Sequence, residues 1–141
     1  MSAGTVVSAL EELVHSYSRY LDKCESILKK VKSRSASASR LRKIFLRLAS
    51  MSEELEYLLT RLSSMIAQNE LSFKDLDDIA PIIFYVYEVA VEEERNLWAM
   101  YSRECSHTEI NSATLGQHYA RLDRMRKLAE DILITIERQS A

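Results

Sequence analysis

The sequence predicts an all-α fold, an antiparallel up-down-up-down bundle of four long helices. Its 141 residues include only 2 Gly and 1 Pro, which leaves almost no residues for hairpin turns or phosphate-binding loops. Apolar residues also recur in alternating steps of three and four along four segments, the coiled-coil-like spacing of bundle helices. We expect one domain over residues 1–141, long enough to bury a core without disulfide or metal staples.

The first two helices follow from the clearest stripes. An unbroken stripe that begins at Val7 predicts a helix over about residues 5–33. The serine-rich segment 33–39 contains no large apolar side chain and is predicted to connect the two helices. A second stripe from Leu41 predicts a helix that ends near Asn69, because asparagine is common at helix C-termini.

The second half of the chain predicts two further helices. A capping-box sequence at Ser72 predicts a short helical turn over 73–79. Pro81 then suits the first turn of a third helix over about 80–106. The last stripe predicts a fourth helix that ends near Arg138. Because the connections between the four helices are short, consecutive helices should run antiparallel.

Composition indicates a cytoplasmic protein. No run of residues approaches the roughly 18 apolar residues of a membrane span, and the N-terminus has no signal-peptide pattern. The two cysteines, Cys24 and Cys105, do not make a disulfide framework. A reducing compartment is therefore the expectation.

Sequence motifs give little support for catalysis. The chain lacks the phosphate-loop, nucleophile-elbow, zinc-protease and calcium-loop motifs. Glu12–His15 and Glu104–His107 match the Glu-x-x-His pattern of di-iron bundles, but they fall at different positions along their helices and we interpret both as coincidences. We predict a protein that is not an enzyme, with no catalytic residue, metal site or cofactor.

Cys24 and His118 are the remaining candidates for chemistry. Their matching depth on core stripes could make them a metal pair or a thiolate–imidazolium pair. Two ligands do not form a structural zinc site, so we favour Cys24 as a small hydrophobic residue and His118 as a hydrogen-bond partner of a carboxylate. Glu93 and Glu94, near the level of Arg121, would then contribute to a buried polar layer.

Charge is strongly segregated along the chain. The net charge is −2, yet no acidic residue lies between Glu25 and Glu53, where eight basic residues surround the first connection. Lysines at the end of the first helix suit its dipole, but cations at the start of the second are unfavourable there, which points to function. The eight residues are Lys29, Lys30, Lys32, Arg34, Arg40, Arg42, Lys43 and Arg47.

Three kinds of function are consistent with these features. The preferred one is an accessory subunit that contacts nucleic acid through the eight cations, since lysine and arginine bind phosphates. The alternative is a protein–protein adaptor whose cations meet an acidic partner or the acidic face of its own copy. The third is a metal or redox bundle around Cys24 and His118.

The first half of the third helix is apolar nearly all round. Residues 79–91 contain one charged residue, whereas a corner helix of a bundle contacts its neighbours over roughly half its circumference or less. The stripe Ile82, Tyr85 and Val89 is therefore predicted to contact a second chain, as in a homodimer. The other possibility is that residues 70–79 fold back over this face.

Overall fold

A computed structural model describes residues 2–33, 37–104 and 112–140, nearly all of them helical. Three consecutive elements form one continuous arm, so the described chain has four long helical arms, and the predicted all-α four-helix bundle is confirmed. The elements are α1 (Ala3–Lys32), α2 (Ala38–Ala67), α3 (Phe73–Tyr85), a π-helical segment (Val86–Ala90), α4 (Val91–Glu104) and α5 (Ser112–Ser140), with α3, the π segment and α4 making the third arm.

Both ends of α2 are capped as the sequence indicates. At its start, the Ser37 side chain accepts the backbone N–H of Arg40 at 3.1 Å. At its end, Asn69 adopts the left-handed conformation with φ 56°, and the N–H of Glu70 donates to the carbonyl of Met65 at 2.9 Å. This is the Schellman arrangement, in which Asn69 is the left-handed residue just after the helix end at Ala67, so the predicted end near Asn69 is confirmed.

The third arm differs from the prediction in where it begins. Ser72 and Asp75 exchange two hydrogen bonds of 3.1 Å and form the predicted capping box. The helix then continues without interruption, so the expected separate turn over 73–79 was wrong and Pro81 lies inside α3. Pro81 removes the N–H that the carbonyl of Asp77 would accept. Both residues are exposed, so water can bond that carbonyl instead.

The arms do not pack around the bundle in chain order. α1 packs against α2 and the third arm, and α5 packs against the same two, so α2 and the third arm occupy opposite corners. Consecutive arms still run antiparallel, and the connection 68–72 crosses the end of the bundle. α1 is parallel to the third arm, because Val14 lies beside Pro81 and Leu21 lies beside Leu97.

The core consists of the predicted stripes. Large side chains such as Leu10 and Leu62 are fully buried, and two pairs of aromatic rings join the diagonal arms. Phe45 of α2 stacks on Tyr101 with ring centres 4.5 Å apart and meets Trp98 edge-on at 5.1 Å. Within residues 2–33, 37–104 and 112–140, no helix combines the length and the apolar character that crossing a bilayer requires.

Candidate functional site

Six side chains from all four arms meet inside the bundle and form what we call the charged layer. Glu94 and Ser52 are fully buried, and Arg121 is only 5 % exposed. A buried ion pair is stable only when its remaining polar atoms also find partners. The members are Tyr17 of α1, Ser52 of α2, Glu94 and Trp98 of α4, and His118 and Arg121 of α5.

Glu94 is the acceptor at the centre of the charged layer. The hydroxyl of Tyr17 donates to Oε1 at 2.5 Å. The indole N–H of Trp98 donates to Oε2 at 2.8 Å, and Nη2 of Arg121 donates to the same oxygen at 3.0 Å. Three donors from three helices therefore hold one carboxylate that has no access to water.

Arg121 is bonded through each nitrogen of its guanidinium group. Besides the pair with Glu94, its Nε donates to Oγ of Ser52 at 3.0 Å and its Nη1 donates to Nδ1 of His118 at 2.9 Å. The Ser52 hydroxyl in turn donates to Sδ of Met125 at 3.4 Å. The planar guanidinium thus connects α2, α4 and α5 and fixes their relative depth.

Burial shifts the titration of the groups around this layer. Burial raises the pKa of Tyr17 well above its usual value, and the neighbouring Glu94 carboxylate raises it further. Burial and then Arg121 lower the pKa of His118 to about 4, and its ring stacks on Trp98 at 3.7 Å. His118 is consequently neutral near pH 7, and its Nδ1 accepts a hydrogen bond from Nη1 of Arg121.

Cys24 is the other candidate for nucleophilic chemistry, and its surroundings disfavour the reactive thiolate. Its side chain is fully buried and its thiol is free. Burial, followed by the charge of Glu94, raises the pKa of Cys24 to about 12, so the thiol stays protonated at neutral pH. Within residues 2–33, 37–104 and 112–140, no group of three or more His, Cys, Asp and Glu side chains is placed to hold a metal ion.

The sequence located only part of the charged layer. Glu94 lies at the level of Arg121, as expected, but His118 bonds Arg121 rather than a carboxylate, so that detail was wrong. Ser52 was missed, although it is the polar member of a series of positions on α2 that are seven residues apart and otherwise apolar. Tyr17 was missed as well, and its hydroxyl donates to Glu94 inside the bundle. The other members of the α2 series are Phe45, Leu59 and Ile66.

The eight predicted cations are called the basic end, and the seven that the structure describes lie on both sides of the first connection, as expected. Those in the described residues are all exposed, on the last turn of α1 and the first three turns of α2. Lys29 forms an exposed ion pair with Glu25 at 3.1 Å, so part of its charge is already neutralised. Arg34 lies outside the described residues. The described members are Lys29, Lys30, Lys32, Arg40, Arg42, Lys43 and Arg47.

Several cations of α5, outside the charged layer, are engaged by contacts within the chain. Arg124 binds Glu56 through its Nε at 2.7 Å, and Lys127 binds an acid one turn later at 3.2 Å. Arg126 lies over the ring of Tyr87, 5.1 Å from its centre. Positive charge on α5 is therefore largely balanced inside the molecule.

Only part of the predicted interface on the third arm, Ile82, Tyr85 and Val89, faces solvent. Ile82 and Tyr85 are half-buried beside α1, and the Tyr85 hydroxyl donates to Oγ of Ser18 at 2.9 Å. Val89 of the π segment is 38 % exposed, and Phe84 of α3 is 54 % exposed. Residues 70–79, which the alternative interpretation placed over this face, form the connection and the first turns of α3 instead.

A groove of about 360 Å³ runs between α1 and α3 on this side of the bundle, and we call it the α1–α3 groove. Apolar side chains form much of its wall, and a carboxylate and a histidine border it. Its volume is that of a site able to take a large side chain or a small ligand. The groove is lined by Glu11, Val14, His15, Ser18, Pro81, Ile82 and Tyr85.

The two Glu-x-x-His sequences do not form a joint site in the described residues. Glu12 and His15 are both exposed on α1, and His15 contributes to the α1–α3 groove instead. Glu104 is exposed at the end of α4, whereas Cys105 and His107 lie outside the described residues.

Chemically, the charged layer can hold helices in register, and the basic end can hold an anion. The carboxylate of Glu94 accepts three hydrogen bonds, and Nδ1 of His118 accepts one from Arg121, so both groups are engaged within the layer. Exposed cations on two adjoining helix ends create a positive potential open to a ligand. No protein-family model, curated protein or solved structure matches the chain.

Proposed function

We propose that the chain is a non-enzymatic binding subunit of the cytoplasm that contacts the phosphate backbone of nucleic acid through the basic end. One observation carries the proposal: the described members of the basic end are all exposed on one tip of the bundle, in a stretch without a single acidic residue. On α5, by comparison, Arg124 and Lys127 are paired with acids and Arg126 lies over the ring of Tyr87.

Electrostatics at this tip favours an anionic ligand. The N-terminus of α2 is the positive end of its helix dipole, and Arg40, Arg42 and Lys43 add three charges next to it. Like charges at this spacing repel one another and gain nothing from the helix. A polyanion removes that repulsion and releases its own counterions, so binding strengthens as salt is lowered.

The basic end is suited to contacting phosphates rather than reading bases. Arg40, Arg42 and Arg47 offer planar guanidinium groups for two-point contacts, while the lysines act as point charges. Among the described residues of this segment, the one aromatic side chain is Phe45, and it is buried. Without an exposed stacking surface, we expect little dependence on nucleotide sequence.

The test is fluorescence anisotropy of the purified, nucleic-acid-free protein with labelled single-stranded and double-stranded DNA and RNA. With about four to six phosphates neutralised, the log–log slope of affinity against salt should be roughly −3 to −5. Even non-specific binding to nucleic acid is typically detectable at tens of micromolar protein and about 100 mM salt. If no nucleic acid binds under these conditions, the proposal is wrong.

A pair of charge-matched variants separates the basic end from net charge. Replacing Arg40, Arg42 and Lys43 by Glu should abolish binding, because these exposed positions face solvent at the tip. A control with Glu at Arg126, Lys127 and Arg138 changes the net charge equally and should bind as the wild type does. Equal loss in both variants would mean that net charge, not the basic end, controls affinity.

A protein–protein adaptor is the second candidate, and the α1–α3 groove favours it. The groove and the exposed ring of Phe84 offer apolar surface of the kind found at protein interfaces. An acidic protein bound at the basic end would show a similar salt dependence. Pull-down with the wild type and the triple Glu variant identifies such a partner when nucleic acid does not bind.

A further inference from the structure

We infer that this chain associates with itself head to tail, with the α1–α3 groove of one copy holding the exposed Leu46 and its basic neighbours from the next copy. The inference does not depend on nucleic-acid binding. It rests on two surfaces of the same chain that are complementary in charge and in shape.

The α1–α3 groove is an apolar site with acidic surroundings. Val14, Pro81 and Ile82 supply apolar wall, and Glu11 lines the groove with its carboxylate. No Lys or Arg occurs in residues 1–18 or 75–94, the segments from which both walls come. An occupant of this groove therefore meets the Glu11 carboxylate and no Lys or Arg among the lining residues, and the first cations beyond these segments are Arg19, Lys74 and Arg95.

The outer acids of these segments extend the negative surface beyond the groove. Glu12 is exposed on α1 next to Glu11. Glu88 is exposed on the π segment, and Glu92 is exposed on the first turn of α4. They lie three and seven residues after Tyr85, so they share its face of the third arm. The chemistry that fits this surface is a large apolar side chain flanked by cations.

Leu46 presents that chemistry on α2. Its side chain is 59 % exposed, and it is the one leucine among the exposed large hydrophobic side chains of the described residues. Arg42 and Lys43 lie one turn before it on the same face of α2, and Arg47 follows it directly. We call these four residues the Leu46 patch. A leucine side chain is far smaller than the groove of about 360 Å³, so flanking stems can enter with it.

The positions of the two surfaces determine the kind of assembly. Leu46 lies on the side of the bundle formed by α2 and α5, since it borders a cavity with Thr114 and His118. The groove lies between α1 and α3, which is the opposite side of the four-cornered bundle. One copy can therefore use both surfaces at once with two different neighbours, which gives an open chain rather than a closed pair.

The first experiment is sedimentation of the wild type at low salt over a range of about 1 to 500 µM, where weak interfaces associate. The average mass should rise past that of a dimer and fall again as salt is added. A protein that remains monomeric over this range, or stops at a dimer, overturns the inference. Capture of a basic partner protein without self-association overturns it as well, because the groove then serves another chain.

Two blocking variants then test the surfaces separately. Ile82→Lys places a cation in the groove, and Leu46→Asp places an acid in the Leu46 patch. Each should be monomeric at concentrations where the wild type associates. The matched controls are Phe84→Lys on α3 and Tyr57→Asp on α2, exposed apolar positions outside both surfaces, and both should associate as the wild type does. Circular dichroism verifies that every variant is folded.

Mixing the two blocked variants gives the decisive result. Ile82→Lys keeps an intact Leu46 patch, and Leu46→Asp keeps an intact groove, so the mixture should form a heterodimer that cannot grow further. If the mixture stays monomeric, the two surfaces are not partners and the inference is wrong. Nucleic-acid binding by Ile82→Lys should equal that of the wild type, so failure of either idea is recognised independently of the other.

Discussion

The charged layer and the basic end use the same residue types in opposite ways. In the charged layer, the Arg121 guanidinium is 5 % exposed and bonds Glu94, Ser52 and His118. At the basic end, Arg40 and Arg47 are exposed and lie in a stretch that contains no acid. Removing a partner is therefore costly in the first region, whereas in the second region the charges can be exchanged without loss of fold.

The difference separates structural charge from functional charge. A buried charge must be paired and saturated, so its position is specified by several helices at once. An exposed charge is stabilised by water, and its presence against the helix dipole has no structural benefit. The contrast teaches that the exposed charges of the basic end, rather than the polar core, are where a ligand is expected.

The largest effect is expected from breaking the buried ion pair. Glu94→Gln leaves the Arg121 charge buried without a counterion and should lower the free energy of unfolding by about 3–5 kcal/mol. Arg121→Met should have a comparable effect. The double variant should lose less unfolding free energy than the two single variants together, because it leaves no buried charge without a partner. Urea unfolding measures all three variants.

A surface pair serves as the control for that cycle. Arg124 and Glu56 form a partly exposed pair on α5 and α2, and Glu56→Gln should cost less than about 1 kcal/mol. If Glu94→Gln costs no more than Glu56→Gln, the charged layer does not hold the bundle together, and the contrast with the basic end is lost.

A smaller effect is expected from acid. The pKa of His118 is about 4 in the folded protein, below its ordinary 6.5, so the unfolded chain binds the proton first. The contribution to stability is fully present above pH 6.5, is lost as pH falls toward 4, and changes no further below 4. The half-buried ring remains partly solvated, so we expect a loss of about 1–2 kcal/mol rather than the full difference.

Comparison of two histidine variants isolates this contribution. Urea unfolding at pH 7 and pH 4.5 should show a smaller pH dependence for His118→Gln than for the wild type. His15→Gln, at an exposed position of α1, should keep the pH dependence of the wild type. An unchanged pH dependence in His118→Gln would show that the histidine is not buried in its neutral form.

The smallest effect on stability is expected at the basic end. Replacing Arg40, Arg42 and Lys43 by Glu removes cations from the positive end of the α2 dipole, so the melting temperature should stay within about 2 °C or rise slightly. Thermal unfolding followed by circular dichroism measures it. A drop of roughly 10 °C would mean that these cations hold the fold and would remove the distinction between the two regions.

Local patterns in the sequence were sufficient to determine the class of the fold. The apolar stripes gave α1, α2 and α5 because a helix must bury one face, and that periodicity is written along the chain. The caps at Ser72 and Asn69 were also predictable, since each depends on residues within one turn. The basic end was found because charge segregation and a short connection are likewise local features.

Tertiary structure decided which arms became neighbours and how the polar residues paired. The diagonal placement of α2 and the third arm depends on how four stripes fit together, which no single stripe contains. The bonds of Tyr17 and Ser52 to the charged layer depend on side chains 69 to 77 residues distant along the chain. The tolerance of Pro81 inside α3 depends on which side of the helix faces water. A sequence states which groups need partners, and only packing selects the partners.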